Sequence, residues 1–148
     1  MPSFSGVFHP NVGPLIDVAI LPFVEPDRPP EASGGLSVFK ALVDTGATTT
    51  CLSGKVVDAV GLKPTGQTPM IGATGERIVN QFACSIGFLQ VQRRYPDGNV
   101  DGNMEGFSIQ VLQFEQEHTA AYQVLLGRDI LCQGAFSMSF DGHWIFSL

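Results

Sequence analysis

Short apolar runs, separated by turns rich in glycine and proline, set the pattern of this chain. Runs of strand length occupy residues 15–21, 38–43, 107–114 and 122–126. The 148 residues include 17 Gly, 10 Pro and 11 Phe, and only 15% of the side chains are charged. Runs of this length bounded by turn residues indicate β-strands, and the low charge argues against a helical bundle. We therefore predict one all-β domain over residues 1–148 with a single hydrophobic core.

The charge balance is acidic and limits the classes of partner. Eight basic against fourteen acidic residues give a net charge of −6, and the pair Arg93-Arg94 is too short to form a basic patch. Nucleic acids and anionic membrane surfaces attract basic patches, so we expect neither as a partner. No apolar run approaches the length of a membrane span, and the first residues lack the pattern of a signal peptide. A cytoplasmic protein is the expectation.

Cysteine and histidine are few and lack the spacing of a metal site. An odd number of cysteines with no short paired spacing suggests neither a disulfide framework nor a zinc site. The histidines are also scattered, and we therefore expect no metal and no cofactor. The residues concerned are Cys51, Cys84, Cys132, His9, His118 and His143.

Turn and cap residues divide the chain into further elements. Ser53 is a plausible N-cap for a short helix over residues 55–60, which Gly61 ends. A second helical turn is expected over residues 128–132. Two hairpins are expected, one around residues 72–75 and one around Asp141-Gly142. Residues 22–35 are predicted to be a loop, and residues 92–106 a loop or the tip of a long hairpin.

An acidic residue stands where one of the predicted strands ends. Asp44 follows the run 38–43 and opens the small-residue segment Asp44-Thr45-Gly46-Ala47. A carboxylate at a strand end is held rigidly at a cleft, and Gly46 allows another backbone or a ligand to come close. Taken in isolation, Asp44 is better explained as a structural turn residue, because aspartate commonly ends strands and caps turns. The chain holds one such element, so a catalytic pair of carboxylates requires two copies of the chain.

Three segments together resemble the retropepsin-like aspartic proteases. They are the Asp44-Thr45-Gly46 segment, a glycine-containing hairpin about thirty residues further on, and Leu125-Leu126-Gly127-Arg128-Asp129. The family includes retroviral proteases and cellular single-domain relatives, and the resemblance extends over residues 15–148. It implies a closed β-barrel of the acid-protease fold with one or two short helices. It also implies a homodimeric aspartic endopeptidase that acts on a peptide or protein substrate.

The resemblance assigns roles to individual residues. Asp44 of each protomer would form a pair of carboxylates that share one proton. Thr45 would hydrogen-bond across the two-fold axis, and Gly46 would leave room for the substrate backbone. Residues 70–79 would be the flap that folds over the substrate. The substrate-binding residues would be Ala47, Thr48, Ile71, Gly72, Ala73, Thr74 and Gly75, and Val43, Ile71 and Ile78 are candidates to line apolar pockets.

The sequence also departs from the retroviral pattern. Thr48 stands where retroviral members carry an acidic residue that pairs with the arginine of their Gly-Arg motif, so Arg128 needs another partner. Asp129 is expected to be a charge at a helix N-terminus or a surface pair. Cys51 is expected to fill space as a small apolar residue. The strand that carries Trp144 is either core or dimer interface, since retropepsins interleave the terminal strands of both chains.

Two other functions remain open on the sequence alone. The first is a non-catalytic module that keeps the scaffold in order to bind a peptide or partner, because a fold does not guarantee an activity. The second is a structural protein whose dimerisation is its function.

Overall fold

Ten strands and two short helices make up the part of the chain that the computed structural model describes, which comprises residues 2–23, 36–98, 100–115 and 120–148. Most of the predicted loop 22–35 and the predicted non-ligand His118 lie outside these residues. The elements in chain order are β1 (Ser3–Val7), β2 (Leu15–Pro22), β3 (Val38–Val43), β4 (Cys51–Ser53), α1 (Gly54–Val60), β5 (Pro64–Gly72), β6 (Gly75–Arg94), β7 (Val100–Phe114), β8 (Val124–Leu126), α2 (Arg128–Leu131), β9 (Ala135–Met138) and β10 (His143–Ser147).

The larger sheet closes on itself. Its strand order is β2-β3-β8-β4-β7-β6-β5, and β2 also pairs with β6, so that β5 lies outside a closed ring. The pairs β3–β8 and β4–β7 are parallel, and the other pairs of the ring are antiparallel. Ring closure gives every strand of the ring a partner on both sides, whereas β5 keeps one free edge among the described strands. The predicted all-β, closed-barrel fold with one or two short helices is confirmed.

The interior of the ring is filled by every second residue of its strands, as the two-residue period of a strand requires. β2 points Ile16, Val18 and Ile20 inward, and α1 adds Val56 and Val57. β6 contributes Phe82, Cys84, Ile86 and Phe88 to the same core. The core therefore lies directly beneath the strand ends that carry the candidate site.

A second, three-stranded sheet has the order β1-β10-β9 and packs on the ring. Trp144 and Phe146 of β10 are buried, whereas Ile145 faces outward. The Phe88 ring lies 5.6 Å from both Phe4 and Phe146, which joins this sheet to the core of the ring. The predicted terminal hairpin is confirmed, and Trp144 belongs to the core rather than to an exposed interface.

Of the two alternatives for residues 92–106, the structure has the long hairpin, because β6 and β7 stay paired as far as Arg94 and Val100; residue 99 lies outside the described part. The expectation for Ser53 changes. Ser53 precedes α1 as predicted, but its hydroxyl donates to Gln123 Oε1 at 2.7 Å and does not cap the helix. Gly61 ends α1 in the left-handed conformation, with φ +73°, as expected. Among the described residues, no helix combines the length and apolarity needed to cross a membrane.

Candidate active site

Asp44 follows the last residue of β3 and is held in a tight turn. Its backbone N–H donates to Leu126 O at 3.0 Å, which ties the strand end to the parallel neighbour β8. Its Oδ1 accepts from the N–H of Gly46 at 2.9 Å and of Ala47 at 3.2 Å. The carboxylate is half-buried. Backbone donors therefore fix the orientation of the side chain.

The Asp44 carboxylate opens into a cleft of about 770 Å³. This volume is within the usual range of roughly 300–1,000 Å³ for ligand sites. The tip of the β5–β6 hairpin forms the opposite wall, as expected for a flap. The lining residues are Asp44, Gly46, Ala47, Thr48, Thr49, Cys51, Pro69, Met70, Ile71, Gly72, Ala73, Leu112, Phe114 and Leu125.

The expected substrate-binding residues divide between two hollows. Ala47, Thr48, Ile71, Gly72 and Ala73 share the Asp44 cleft. The other two, Thr74 and Gly75, line a smaller hollow together with the ion pair of Arg77 and Glu115.

The remaining expected residues lie apart from the cleft lining. Thr45 is exposed and is not among the residues that line the cleft. Ile78 is 64% exposed and also lies outside it. Val43 is 8% exposed and packs in the core, so the expectation that Val43 lines a pocket is corrected. Adjacent strand residues point to opposite sides, which sends Val43 inward.

The segment from Leu126 to Arg128 supports the Asp44 turn from beneath. Arg128 N donates to Ala47 O at 2.9 Å, and Gly127 N donates to Thr50 Oγ1 at 3.0 Å. A Cβ on Gly127 would lie 2.7 Å from the carbonyl carbon of Thr49. Only glycine lets the two backbones cross at this distance.

Asp129 connects the same two segments through a buried hydroxyl. The carboxylate of Asp129 accepts from Thr50 Oγ1 at 2.7 Å and from Thr50 N at 2.9 Å. It also accepts from the N–H of Ile130 in α2. Asp129 thus lies in the first turn of α2, as the expectation of a helix-end charge had it, but its main partner is the fully buried Thr50 rather than a charge on the surface. The sequence carried no signal for this contact between residues 79 positions apart.

The side-chain partner of Arg128 is Thr48, the residue at which this chain departs from the retroviral pattern. Its Nη2 donates to Thr48 Oγ1 at 3.1 Å. Both side chains are exposed, so this contact positions them and adds little stability. The threonine hydroxyl replaces the carboxylate of the retroviral pattern as the acceptor.

Cys51 lines the cleft, but its thiol is poorly reactive. Its Sγ donates to Thr49 O at 3.4 Å, and burial raises the pKa of the thiol to about 11, with the carboxylates of Asp129 and Asp44 acting in the same direction. The thiol is therefore protonated at neutral pH and is a poor nucleophile. Within the described part of the chain, no group of three His, Cys, Asp or Glu residues could hold a metal ion.

Four residues that the sequence did not point to also line the cleft: Thr49, Pro69, Leu112 and Phe114. Leu112 and Phe114 reach it because β7 pairs in parallel with β4, which sets Leu112 opposite Cys51 and Phe114 opposite Ser53. Pairing between strands so far apart in the sequence leaves no local pattern.

Comparisons with known proteins agree with this geometry. The Aspartyl protease family model matches residues 32–94, which include the Asp44 turn, α1 and the flap. A retropepsin-like aspartic protease from Rickettsia conorii aligns with a TM-score of 0.59 and 15% identity, covering 98% of this chain and 90% of that one. The retroviral protease-like domain of Ddi1 from Leishmania major aligns with a TM-score of 0.36 and 14% identity, covering 70% of this chain and 74% of that one. No curated protein sequence matches.

The resemblance to the retropepsin-like aspartic protease family is thereby confirmed. The fold is retropepsin-like over nearly the whole chain, on the Rickettsia alignment. The Asp44 segment and the flap lie within the region that matches the aspartyl protease family.

Proposed function

We propose that this chain is a homodimeric aspartic endopeptidase in which each protomer supplies one Asp44. The observation that carries the proposal is the Asp44 carboxylate at the base of a cleft of about 770 Å³ whose opposite wall is the flap. The aspartyl protease match over the same residues supports it. A single such carboxylate per chain requires a second copy to complete the site.

The chemistry follows from two carboxylates in contact. Two such groups about 3 Å apart cannot both ionise, so they share one proton and titrate as a pair. The ionised member takes a proton from water, which attacks the peptide carbonyl carbon. The protonated member donates its proton to the carbonyl oxygen, which gives a tetrahedral intermediate with two hydroxyl groups. The member that took the proton from water then donates it to the leaving amine, and one hydroxyl of the intermediate returns a proton to the other carboxylate as the carbon–nitrogen bond breaks. The Gly46 and Ala47 N–H groups hold Oδ1 of Asp44 in place for both steps.

An extended peptide is the substrate that this cleft suits. β5 pairs with β6 along one edge only and lies outside the ring, so its other edge can add a peptide strand through backbone hydrogen bonds. Ile71, which is 84% exposed, is available to contact an apolar side chain of the peptide. Thr45 is assigned the contact across the two-fold axis.

The proposal includes a cytoplasmic location. Its support is chemical, because Cys51, Cys84 and Cys132 are all free thiols. Unpaired cysteines are typical of a reducing compartment.

The test is cleavage of a denatured protein by the native chain and by two matched variants, from acid to neutral pH. Asp44→Asn should lower cleavage by roughly 10²–10⁴-fold, because it removes the acid–base pair. Asp58→Asn, which removes an exposed carboxylate of α1, should leave cleavage unchanged. Circular dichroism and sedimentation should be the same for all three proteins.

Two results would contradict the proposal. Full activity in Asp44→Asn would remove Asp44 from the mechanism. Absence of cleavage by the native chain at every pH, together with peptide binding, would instead favour a non-catalytic binding module on the same scaffold.

A further inference from the structure

Arg128 lies at the margin of the Asp44 cleft, next to two of the residues that line it. Its Nη2 donates to Thr48 Oγ1 at 3.1 Å, and Thr48 lines the cleft. The backbone N–H of Arg128 donates to the carbonyl oxygen of Ala47, a second lining residue, at 2.9 Å. A backbone bond and a side-chain bond therefore hold this exposed cation beside the segment that follows Asp44.

The charge of Arg128 has no carboxylate partner among the residues that the structure describes. Its side-chain partner there is the neutral hydroxyl of Thr48. The adjacent Asp129 directs its carboxylate to Thr50 and to the N–H of Ile130. A guanidinium carries five N–H donors in a planar fork that matches a carboxylate, and it does not lose its charge. A single hydroxyl therefore leaves the fork available to a ligand.

The surroundings of Arg128 make a local charge preference easy to recognise. Asp44 is the only charged residue among the described residues that line the cleft. The chain as a whole has a net charge of −6, so its long-range field repels an acidic peptide. A preference for an acidic peptide over a neutral one can therefore come only from a cation close to the bound peptide.

We propose that Arg128 determines substrate specificity by binding the carboxylate of an acidic side chain in the peptide. The guanidinium fork accepts this carboxylate in a bidentate pair while Thr48 holds the arginine at the cleft margin. The inference rests on the proposed function, in which the peptide lies in the Asp44 cleft of a symmetric dimer. Arg128 of the partner subunit then occupies the equivalent place across the two-fold axis. The preferred substrate consequently carries one acidic residue on each side of the cleaved bond, at equal distances from it.

Paired peptides that differ in a single residue test this preference. Each pair has glutamate or glutamine at one position, and the position is moved along both sides of a central pair of apolar residues. Binding is measured by fluorescence anisotropy on Asp44→Asn, which should bind peptides without cutting them, and KM and kcat are measured on the native chain. At one position on each side, glutamate should lower Kd and KM by roughly 3- to 10-fold relative to glutamine. Because the contact is remote from the reacting bond, kcat should change little.

Four variants assign the preference to one side chain. Arg128→Gln should reduce the ratio between the two peptides to about 1, whereas Arg128→Lys retains the charge without the fork and should keep part of the ratio. Thr48→Asp places a carboxylate of the chain itself beside Arg128 and should also reduce the ratio to about 1, with the arginine still present. The matched control is Arg94→Gln, which removes the same charge from the exposed end of β6, outside the cleft lining, and should leave the ratio unchanged.

The outcomes separate this inference from the proposed function. Equal binding of the glutamate and glutamine peptides at every position would overturn the role of Arg128, as would a preference that survives in Arg128→Gln or disappears equally in Arg94→Gln. A chain that binds none of the peptides would overturn it too. Cleavage of both peptides with equal KM leaves the peptidase function standing without this specificity. Tighter binding of the glutamate peptide that depends on Arg128, in a chain that cleaves nothing, leaves the recognition standing without the peptidase function.

Discussion

Thr50 connects the two segments beneath Asp44, and its substitution by valine tests that connection. The hydroxyl donates to the Asp129 carboxylate at 2.7 Å and accepts from the Gly127 N–H at 3.0 Å. The side chain is fully buried, so water cannot replace either partner. Valine has nearly the same shape and removes both bonds while leaving the backbone unchanged.

The expected cost can be worked from these two contacts. A hydrogen bond to a charged group contributes about 1.5–3 kcal/mol, and a buried N–H left without an acceptor costs about 1–3 kcal/mol. Burial of the added methyl group of valine stabilises the folded state by about 1 kcal/mol. Thr50→Val should therefore lower the free energy of unfolding by about 1.5–5 kcal/mol. Thr48→Val loses an exposed bond to Arg128 and should cost less than about 0.5 kcal/mol.

Urea unfolding at one fixed protein concentration measures both variants, the fixed concentration being necessary because association alters apparent stability. With a slope of about 2 kcal/mol per molar urea, the midpoint of Thr50→Val should fall by roughly 0.75–2.5 M. Peptide cleavage should also fall, because the Asp44 turn loses support. Equal midpoints for Thr50→Val and Thr48→Val would refute the reasoning.

Other predictions concern the glycine crossing and the thiols. Gly127→Ala places a Cβ 2.7 Å from Thr49 backbone and should lower stability by about 1–3 kcal/mol in the same urea assay, whereas Gly106→Ala, with 3.6 Å to its nearest atom, should be close to neutral. A thiol reagent at pH 8 should modify the exposed Cys132 rapidly and reach Cys51 and Cys84 only on unfolding. Burial raises the pKa of these two thiols from 9.0 to about 11 and about 12. The stability that these buried thiols contribute should therefore be complete below pH 9 and be lost as the pH rises toward about 11 for Cys51 and about 12 for Cys84, which the urea assay would show as a falling midpoint.

Local features of the site were predictable from the sequence. Asp44 ends an apolar strand and opens a turn of small residues, and both facts are visible in a few consecutive letters. The flap is a hairpin whose Gly75 adopts φ +111°, a conformation that favours glycine. Gly61 ends α1 for the same reason. In each case neighbouring residues determine the structure, so the sequence pattern is sufficient.

Distant contacts account for what the sequence did not indicate. The bond between Thr50 and Asp129 joins residues 79 positions apart, and either residue alone has several ordinary roles. β1 (Ser3–Val7) is rich in serine and glycine, which are weak strand formers, and becomes a strand because β10 pairs with it. The inward orientation of Val43, by contrast, can be predicted from the sequence. Its neighbour Asp44 faces the cleft, and strand alternation then sends Val43 inward.

The position of β10 between β1 and β9 determines when the fold is completed. Ser3 pairs with Ser147, a closure that spans almost the whole chain, and contacts so distant in sequence form slowly. Chains are synthesised from the N-terminus, so the Asp44 turn and the flap emerge well before β10. The three-stranded sheet, which contacts the ring through Phe88, therefore forms last. In the homodimer proposed above, the pair of Asp44 carboxylates would then form only between chains whose synthesis and folding are complete.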